Sequence, residues 1–162
     1  MNTNIEIVPV LIAQNYDLIA QFMLELHNNE NELSDKTAQW QDIKESYMKH
    51  VIAMQQENDG TCLIAQINGM PVGFIFGYAE EQDDSRIDKY EGQELYVSDG
   101  YVDKRFRRQG VYHALSNALE QTYLQKGIKR ITRFTHVNNH NMRRFLEGEG
   151  YVITRLLYEK WL

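Results

Sequence analysis

The chain has 162 residues, room for one domain with a packed core, and 43% of them are hydrophobic. Two prolines and the lack of any low-complexity tract set aside fibrous and disordered classes, and the single Cys62 excludes an internal disulfide or a thiolate zinc cluster. The net charge of −6 hides a division: residues 1–100 carry 5 Lys/Arg against 18 Asp/Glu (−13), residues 101–162 carry 12 against 5 (+7).

Ile5, Ile7 and Val8 predict a short opening strand ending at Pro9. From Asn15, apolar residues at Leu18, Ile19, Phe22, Met23 and Leu26 follow helical spacing. The polar run 27–35, with Glu30, Glu32 and Asp35, reads as a connecting loop. A second helix follows, with Thr37 as N-cap and Trp40, Ile43, Tyr47, Val51 and Met54 on one face; Asp59-Gly60 ends it. Strands at 61–67 and 70–78 flank Asn68-Gly69, a strong hairpin signal. In the second, Val72, Phe74, Phe76 and Tyr78 alternate with Gly73, Ile75 and Gly77, so a neighbouring backbone or a ligand can come close to the bare face.

Residues 80–92 read as a loop and 94–102 as a strand, with Ser98-Asp99-Gly100 in its middle predicting a bulge or splay. A basic turn leads to Gly110, which opens a helix carrying Val111, Leu115, Ala118, Leu119 and Thr122 on one face and closing at Gly127. A strand at 128–137, a short helix at 139–147 and a last strand at 151–157 complete the order β-α-α-β-β-β-α-β-α-β. That order is α/β or α+β in a single domain, 1–162, without repeat or linker.

The stretch from Val102 to Leu115 carries the functional argument. A strand ends, a basic turn follows, and a helix begins at once. The helix start leaves N–H groups unpaired and carries partial positive charge, Gly110 allows close approach, and Arg107 and Arg108 add cations. Together these make an anion site, although neither nucleotide-hydrolysis nor dinucleotide glycine spacing is present. A solvated basic loop is the alternative.

The run Arg107-Arg108-Gln109-Gly110-Val111-Tyr112 resembles the acetyl-CoA pyrophosphate loop of GNAT-type N-acetyltransferases, Arg/Gln-x-x-Gly-x-Gly/Ala. Arg107 and Gly110 match it; Tyr112 stands where a small residue is usual. Asn139, Phe145, Gly150 and Tyr151 similarly match the family's later Asn-x-x-Ala-x-x-Phe/Leu-Tyr-x-x-x-Gly-Phe motif, with Met142 for its alanine. Leu146 replaces the tyrosine that often serves the family as general acid. The resemblance implies a central mixed, mostly antiparallel sheet with splayed middle strands and helices on both faces. Only twelve residues follow Gly150, so the closing strand pair is expected to be short or reduced to one strand.

What the resemblance implies chemically is direct transfer of acetyl from acetyl-CoA to a primary amine of a small molecule or peptide. Its cofactor-binding positions fall on Tyr101, Val102, Arg107, Arg108, Gln109, Gly110, Val111, Tyr112, His113 and Asn139. The pantetheine would pair with the free edge of the 94–102 strand, and a carboxylate or a water chain would take the amine proton. Glu94, Asp99 and Tyr96 are the candidates, Glu94 and Asp99 being the carboxylates. Trp40, Tyr47 and Phe22 read as core that could also line an acceptor pocket. A non-catalytic acyl-CoA-binding regulatory module on the same fold is the alternative, kept open by Tyr112 and Leu146.

His136 and His140 are spaced like metal ligands but have no cysteine or carboxylate pair beside them, so no metal is expected. Nucleic acid is not an expected partner, because the acidic 1–100 segment would repel phosphate. No apolar run reaches the roughly 20 residues of a membrane span and no secretory leader is legible. The expectation is therefore a cytoplasmic domain, a cationic amine drawn to the acidic part, and a homodimer through the shortened C-terminal strand.

Overall fold

A computed structural model describes residues 4–81 and 92–162. Five strands form one sheet in the order β1-β2-β3-β4-β5: β1 (Ile5–Val10), β2 (Thr61–Ile67), β3 (Met70–Glu81), β4 (Gln93–Val102) and β5 (Ile131–Arg133). The first four pair antiparallel and β5 runs parallel to β4. The helices are α1 (Tyr16–Leu33), α2 (Trp40–Glu57), α3 (Val111–Gln125) and α4 (His140–Gly148).

Side-chain alternation splits the core into two layers. On one face Phe74, Phe76, Tyr78 and Tyr101 pack against Ile19, Met23, Trp40, Met48 and Val51 of α1 and α2. On the other, Ala65, Val72, Ile75, Leu95 and Val97 meet Val111, Leu115, Leu119 and Tyr123 of α3. Leu115 and Leu119 are fully buried, each worth about 1.5–3 kcal/mol of hydrophobic stabilisation. The β2–β3 turn has Asn68 and Gly69 both at positive φ (53° and 77°), as a tight hairpin requires. The bare face of β3 is filled by protein: a Cβ on Gly73 would stand 2.6 Å from the Tyr101 carbonyl, and one on Gly77 2.9 Å from that of Tyr96.

Several expectations need correction. Pro9 does not end β1, which continues to Val10; as an edge strand it tolerates a residue without an N–H. The loop expected over 27–35 is helix as far as Leu33, because polarity without Gly or Pro does not stop a helix, and the connection is only 34–39. Glu30 and Glu32 therefore sit on α1. Thr37 does not cap α2; its hydroxyl donates to the Ser34 carbonyl and Gln39 holds the N-cap position. β3 extends to Glu81, and of the loop expected over 80–92, residues 82–91 lie outside the described residues. Tyr123, rather than Thr122, completes the buried face of α3.

The strand expected over 128–137 shrinks to Ile131–Arg133, and the one expected over 151–157 does not form. One cause serves both. Phe76 of β3 pairs with Asp99 but Gly77 pairs with Val97, so Ser98 is an extra residue and β4 bulges there. β5 pairs only with Leu95, Tyr96 and Val97, then diverges, and its short edge gives residues 151–157 little to pair with.

Candidate active site

Beyond Val97 the outward edge of β4 has no described strand on it, and backbone groups between Ser98 and Val102 line a gap there. This is the splay anticipated at Ser98-Asp99-Gly100. Tyr101 and Val102 form its far end, each 6% exposed. Arg107 folds back over them: its Nε donates to the Val102 carbonyl at 2.9 Å and its guanidinium lies 5.5 Å from the centre of the Tyr101 ring.

The basic turn then rises to the helix. Arg105 is engaged by Asp103, at 2.7 Å, and Lys104 reaches Glu32 at 3.7 Å. Arg108 (φ 62°) and Gly110 (φ 80°) both adopt left-handed backbone, a conformation in which successive N–H groups converge on a concave nest for an anion. Gly110 is the N-cap of α3, and no atom lies within 4 Å of where a Cβ would stand, so the cradle is open. Gln109 and Arg108 are exposed on the same turn, Gln109 donating to the Arg105 carbonyl. Val111 is buried beneath the turn, Tyr112 points into the β4–β5 gap, and His113 Nδ1 lies 3.0 Å from Glu149 Oε1 beyond α4. Asn139 caps α4, accepting from the Met142 N–H at 3.1 Å. An open nest at a helix start beside an unpaired strand edge fits a pyrophosphate followed by an amide-bearing arm.

The two candidate carboxylates have different settings. Glu94, at the start of β4, is 3% exposed and its Oε2 is 3.1 Å from Arg130 Nη1. Asp99 lies at the bulge itself, 7% exposed, and accepts from the Tyr47 hydroxyl and the Ser98 hydroxyl, each at 2.6 Å. Burial pushes its carboxyl above the usual range, while Ser98, Tyr47, His27 and His50 pull the other way. Burial first, and then Asp99, raises the Tyr47 hydroxyl. The Tyr78 hydroxyl is pushed up to about 12, mainly by burial.

Around this pair runs a string of rings from α1 across the sheet. His27 contacts Trp40 and Tyr47, Tyr47 contacts His50, His50 contacts Tyr78, Tyr78 contacts Tyr96, and Tyr96 contacts Phe134, at centroid separations of 4.8–6.5 Å. Phe22, by contrast, stacks on Phe74 inside the core. Sequence reasoning missed His27, His50 and the Tyr47–Asp99 bond. The available signal was a hydroxyl at Tyr47 within an otherwise apolar stripe, since a buried tyrosine normally finds a polar partner.

On the α3 side, Arg133 is nearly buried and donates to Tyr151 Oη, Tyr112 Oη, Ser116 Oγ and Glu120 Oε1. This network ties β5, α3 and the segment after α4 into one wall. His136 Nδ1 accepts from the Asn138 N–H, and among the described residues no three His, Cys, Asp or Glu side chains gather as a metal site. No helix among them is long and apolar enough to cross a membrane.

Comparison with known proteins agrees with this geometry. The acetyltransferase (GNAT) family model matches residues 21–151. A search of curated proteins finds no match. Among solved structures, a possible acetyltransferase from Clostridium difficile 630 superposes with a TM-score of 0.71 at 22% identity, covering 98% of this chain and 97% of that one. An aminoglycoside acetyltransferase from an uncultured soil metagenomic sample, in complex with sisomicin, gives 0.67 at 18% identity over 98% and 95%. Aminoglycoside N-acetyltransferase AAC(6′)-Iy in complex with CoA gives 0.68 at 16% identity over 99% and 97%. These likenesses concern the fold, while the family match extends through the nest, the bulged strand and the Asn139 cap. The chain is therefore a member of the GNAT acetyltransferase family.

Proposed function

We propose that this N-acetyltransferase moves the acetyl group of acetyl-CoA directly onto a primary amine of a small molecule or peptide, with Asp99 receiving the amine proton. The observation that carries this reading is the position of Asp99. The buried carboxylate stands at the one bulge of β4, where the strand also loses its β5 partner and presents a free edge. Donor edge and proton acceptor thus meet within one residue of each other.

Acetyl-CoA supplies an acetyl thioester, activated toward attack by a neutral amine. The α3 nest, with Gly110 open to approach and Arg107 and Arg108 adjacent, holds the pyrophosphate. The free N–H groups of β4 hold the amide arm and offer donors to the thioester oxygen as charge develops on it. Tyr47 and Ser98 fix the Asp99 carboxylate in one orientation, and its raised proton affinity suits it to deprotonate an ammonium. Glu94, engaged with Arg130 at the strand's start, serves better as an anchor of the β4–β5 junction. The ring string beside Asp99 offers π-faces to a cationic acceptor. The neighbours that carry aminoglycosides are consistent with a small-molecule amine.

The test is thiol release from acetyl-CoA with polyamines, aminoglycosides, amino acids and lysine peptides. Acceptor-dependent release that Asp99→Asn abolishes is the expected result. Tight acetyl-CoA binding with no acceptor-dependent release would instead favour the non-catalytic module.

A further inference from the structure

Breaking the thioester generates a thiolate, and that sulfur needs a proton before CoA can leave as a thiol. Several hydroxyls near the β4 gap already have their hydrogen placed. Tyr47 and Ser98 donate to Asp99. Tyr151 and Ser116 donate to Glu120.

Tyr112 is different. It lies in the first turn of α3 and its ring covers Gly100, the residue after Asp99 on the opposite face of β4. A Cβ on Gly100 would stand 2.8 Å from Tyr112 Oη and 2.9 Å from Cε2, so the hydroxyl lies against the β4 backbone at Gly100 only because position 100 is glycine. The ring is held edge-on to Phe145 of α4, with centroids 5.0 Å apart. Tyr112 Oη accepts from Arg133 Nη1 at 3.4 Å, and among the described residues no acceptor takes its hydrogen. Burial keeps the phenol protonated, with Arg133 as the main opposing influence and Asp99 and Glu120 adding to the rise.

We propose that Tyr112 is a catalytic residue, its hydroxyl delivering the proton to the departing CoA thiolate. The inference rests on the preceding reading, in which the thioester lies along β4. The amine nitrogen bonds to the acetyl carbon, the C–S bond breaks, and the sulfur takes the Tyr112 proton as its O–H bond opens. Arg133 holds the resulting tyrosinate until water returns a proton, while the amine's own proton goes to Asp99 and then to solvent. No oxidant or further reactant is needed. Tyr112 in this role also accounts for two departures at once: a large residue at the end of the phosphate loop, and Leu146 without a hydroxyl on α4.

The experiment is Tyr112→Phe, which keeps the ring on Gly100 and Phe145. The expected result is a fall in kcat of about 100-fold, with acetyl-CoA affinity by calorimetry and the thermal midpoint held near those of the unsubstituted protein. Whatever preference the unsubstituted protein shows for CoA over desulfo-CoA is expected to vanish in the variant. Retained kcat would overturn the inference while leaving the transferase reading intact. So would loss of acetyl-CoA binding in Tyr112→Phe, which would make the residue a structural filler of the gap. Failure of the unsubstituted protein to bind acetyl-CoA would instead remove the underlying reading, and this inference with it.

Discussion

The Tyr47 hydroxyl of α2 donates to the Asp99 carboxylate of β4 at 2.6 Å, joining residues 52 positions apart. The bond crosses from the helical layer to the bulge of the sheet, so the orientation of the carboxylate depends on how α2 is packed. Removing it through Tyr47→Phe leaves the ring contacts with Trp40 and His50 in place. The bond favours the charged form of Asp99, so its loss pushes the Asp99 pKa further up. The acidic limb of the kcat/KM profile should move to higher pH, and activity near neutrality should drop about tenfold, as for one hydrogen bond to a charged group. An acidic limb that stays in place would detach Tyr47 from Asp99.

Asp99→Asn separates chemistry from stability. A carboxyl whose folded-state pKa is raised stabilises the fold below its unfolded pKa, near 4, and loses that contribution as pH rises through the folded value. An amide imitates the protonated form at every pH. The variant should therefore match the unsubstituted protein in stability at low pH and exceed it at neutral and alkaline pH, while losing about 100-fold or more in turnover. Denaturant titrations across the pH range check the sign, and a variant less stable at alkaline pH would contradict it.

Arg107 contacts both Val102 and Tyr101, at the end of the free edge nearest the nest. Arg107→Glu should weaken CoA binding at least about tenfold, by placing a like charge beside the pyrophosphate. The loss should be larger at low ionic strength, where less of the repulsion is screened. Calorimetry at two salt concentrations measures this, and unchanged affinity would move the phosphate site elsewhere.

Arg133→Leu should cost about 3 kcal/mol of folding stability, because it leaves Glu120 without its cation in a largely buried wall. The double substitution Arg133→Leu with Glu120→Leu should recover most of that loss, since no unpaired charge then remains. Urea unfolding of the single and double variants gives the coupling directly. Equal destabilisation in both would show that packing, rather than the ion pair, makes the wall.

What could be read in advance divides along physical lines. The Asn68-Gly69 hairpin, the Gly110 start of α3 and the Ser98 bulge are local: each depends on backbone preferences of a few adjacent residues, and each was legible. The end of α1 is not legible in this way, because Asn28–Asn31 are polar and polarity alone does not distinguish an exposed helical turn from a loop. Strand length failed for another reason. Whether 128–137 or 151–157 forms a ladder is decided by a partner edge, and the bulge in β4 removes that edge from a distance. The same holds at the site: the nest lies in one continuous run, whereas the Tyr47–Asp99 bond and the Arg133 network are assembled from elements far apart in the chain.

Ser98 acts as a phase shift in the strand. Were Ser98 an ordinary position of the ladder, strict alternation would send Asp99 to the same side as Leu95 and Val97, against α3, and turn Gly100 toward the rings of α2. Because Ser98 bulges out instead, Asp99 joins Tyr96 and Tyr101 on one face while Gly100 opens the other face to Tyr112. Consecutive residues thus serve opposite sides of the sheet, one at the proposed proton acceptor and one at the proposed proton donor. Only the thickness of a single strand separates the two faces, and drawing Ser98 into the ladder would exchange the sides of Asp99 and Gly100.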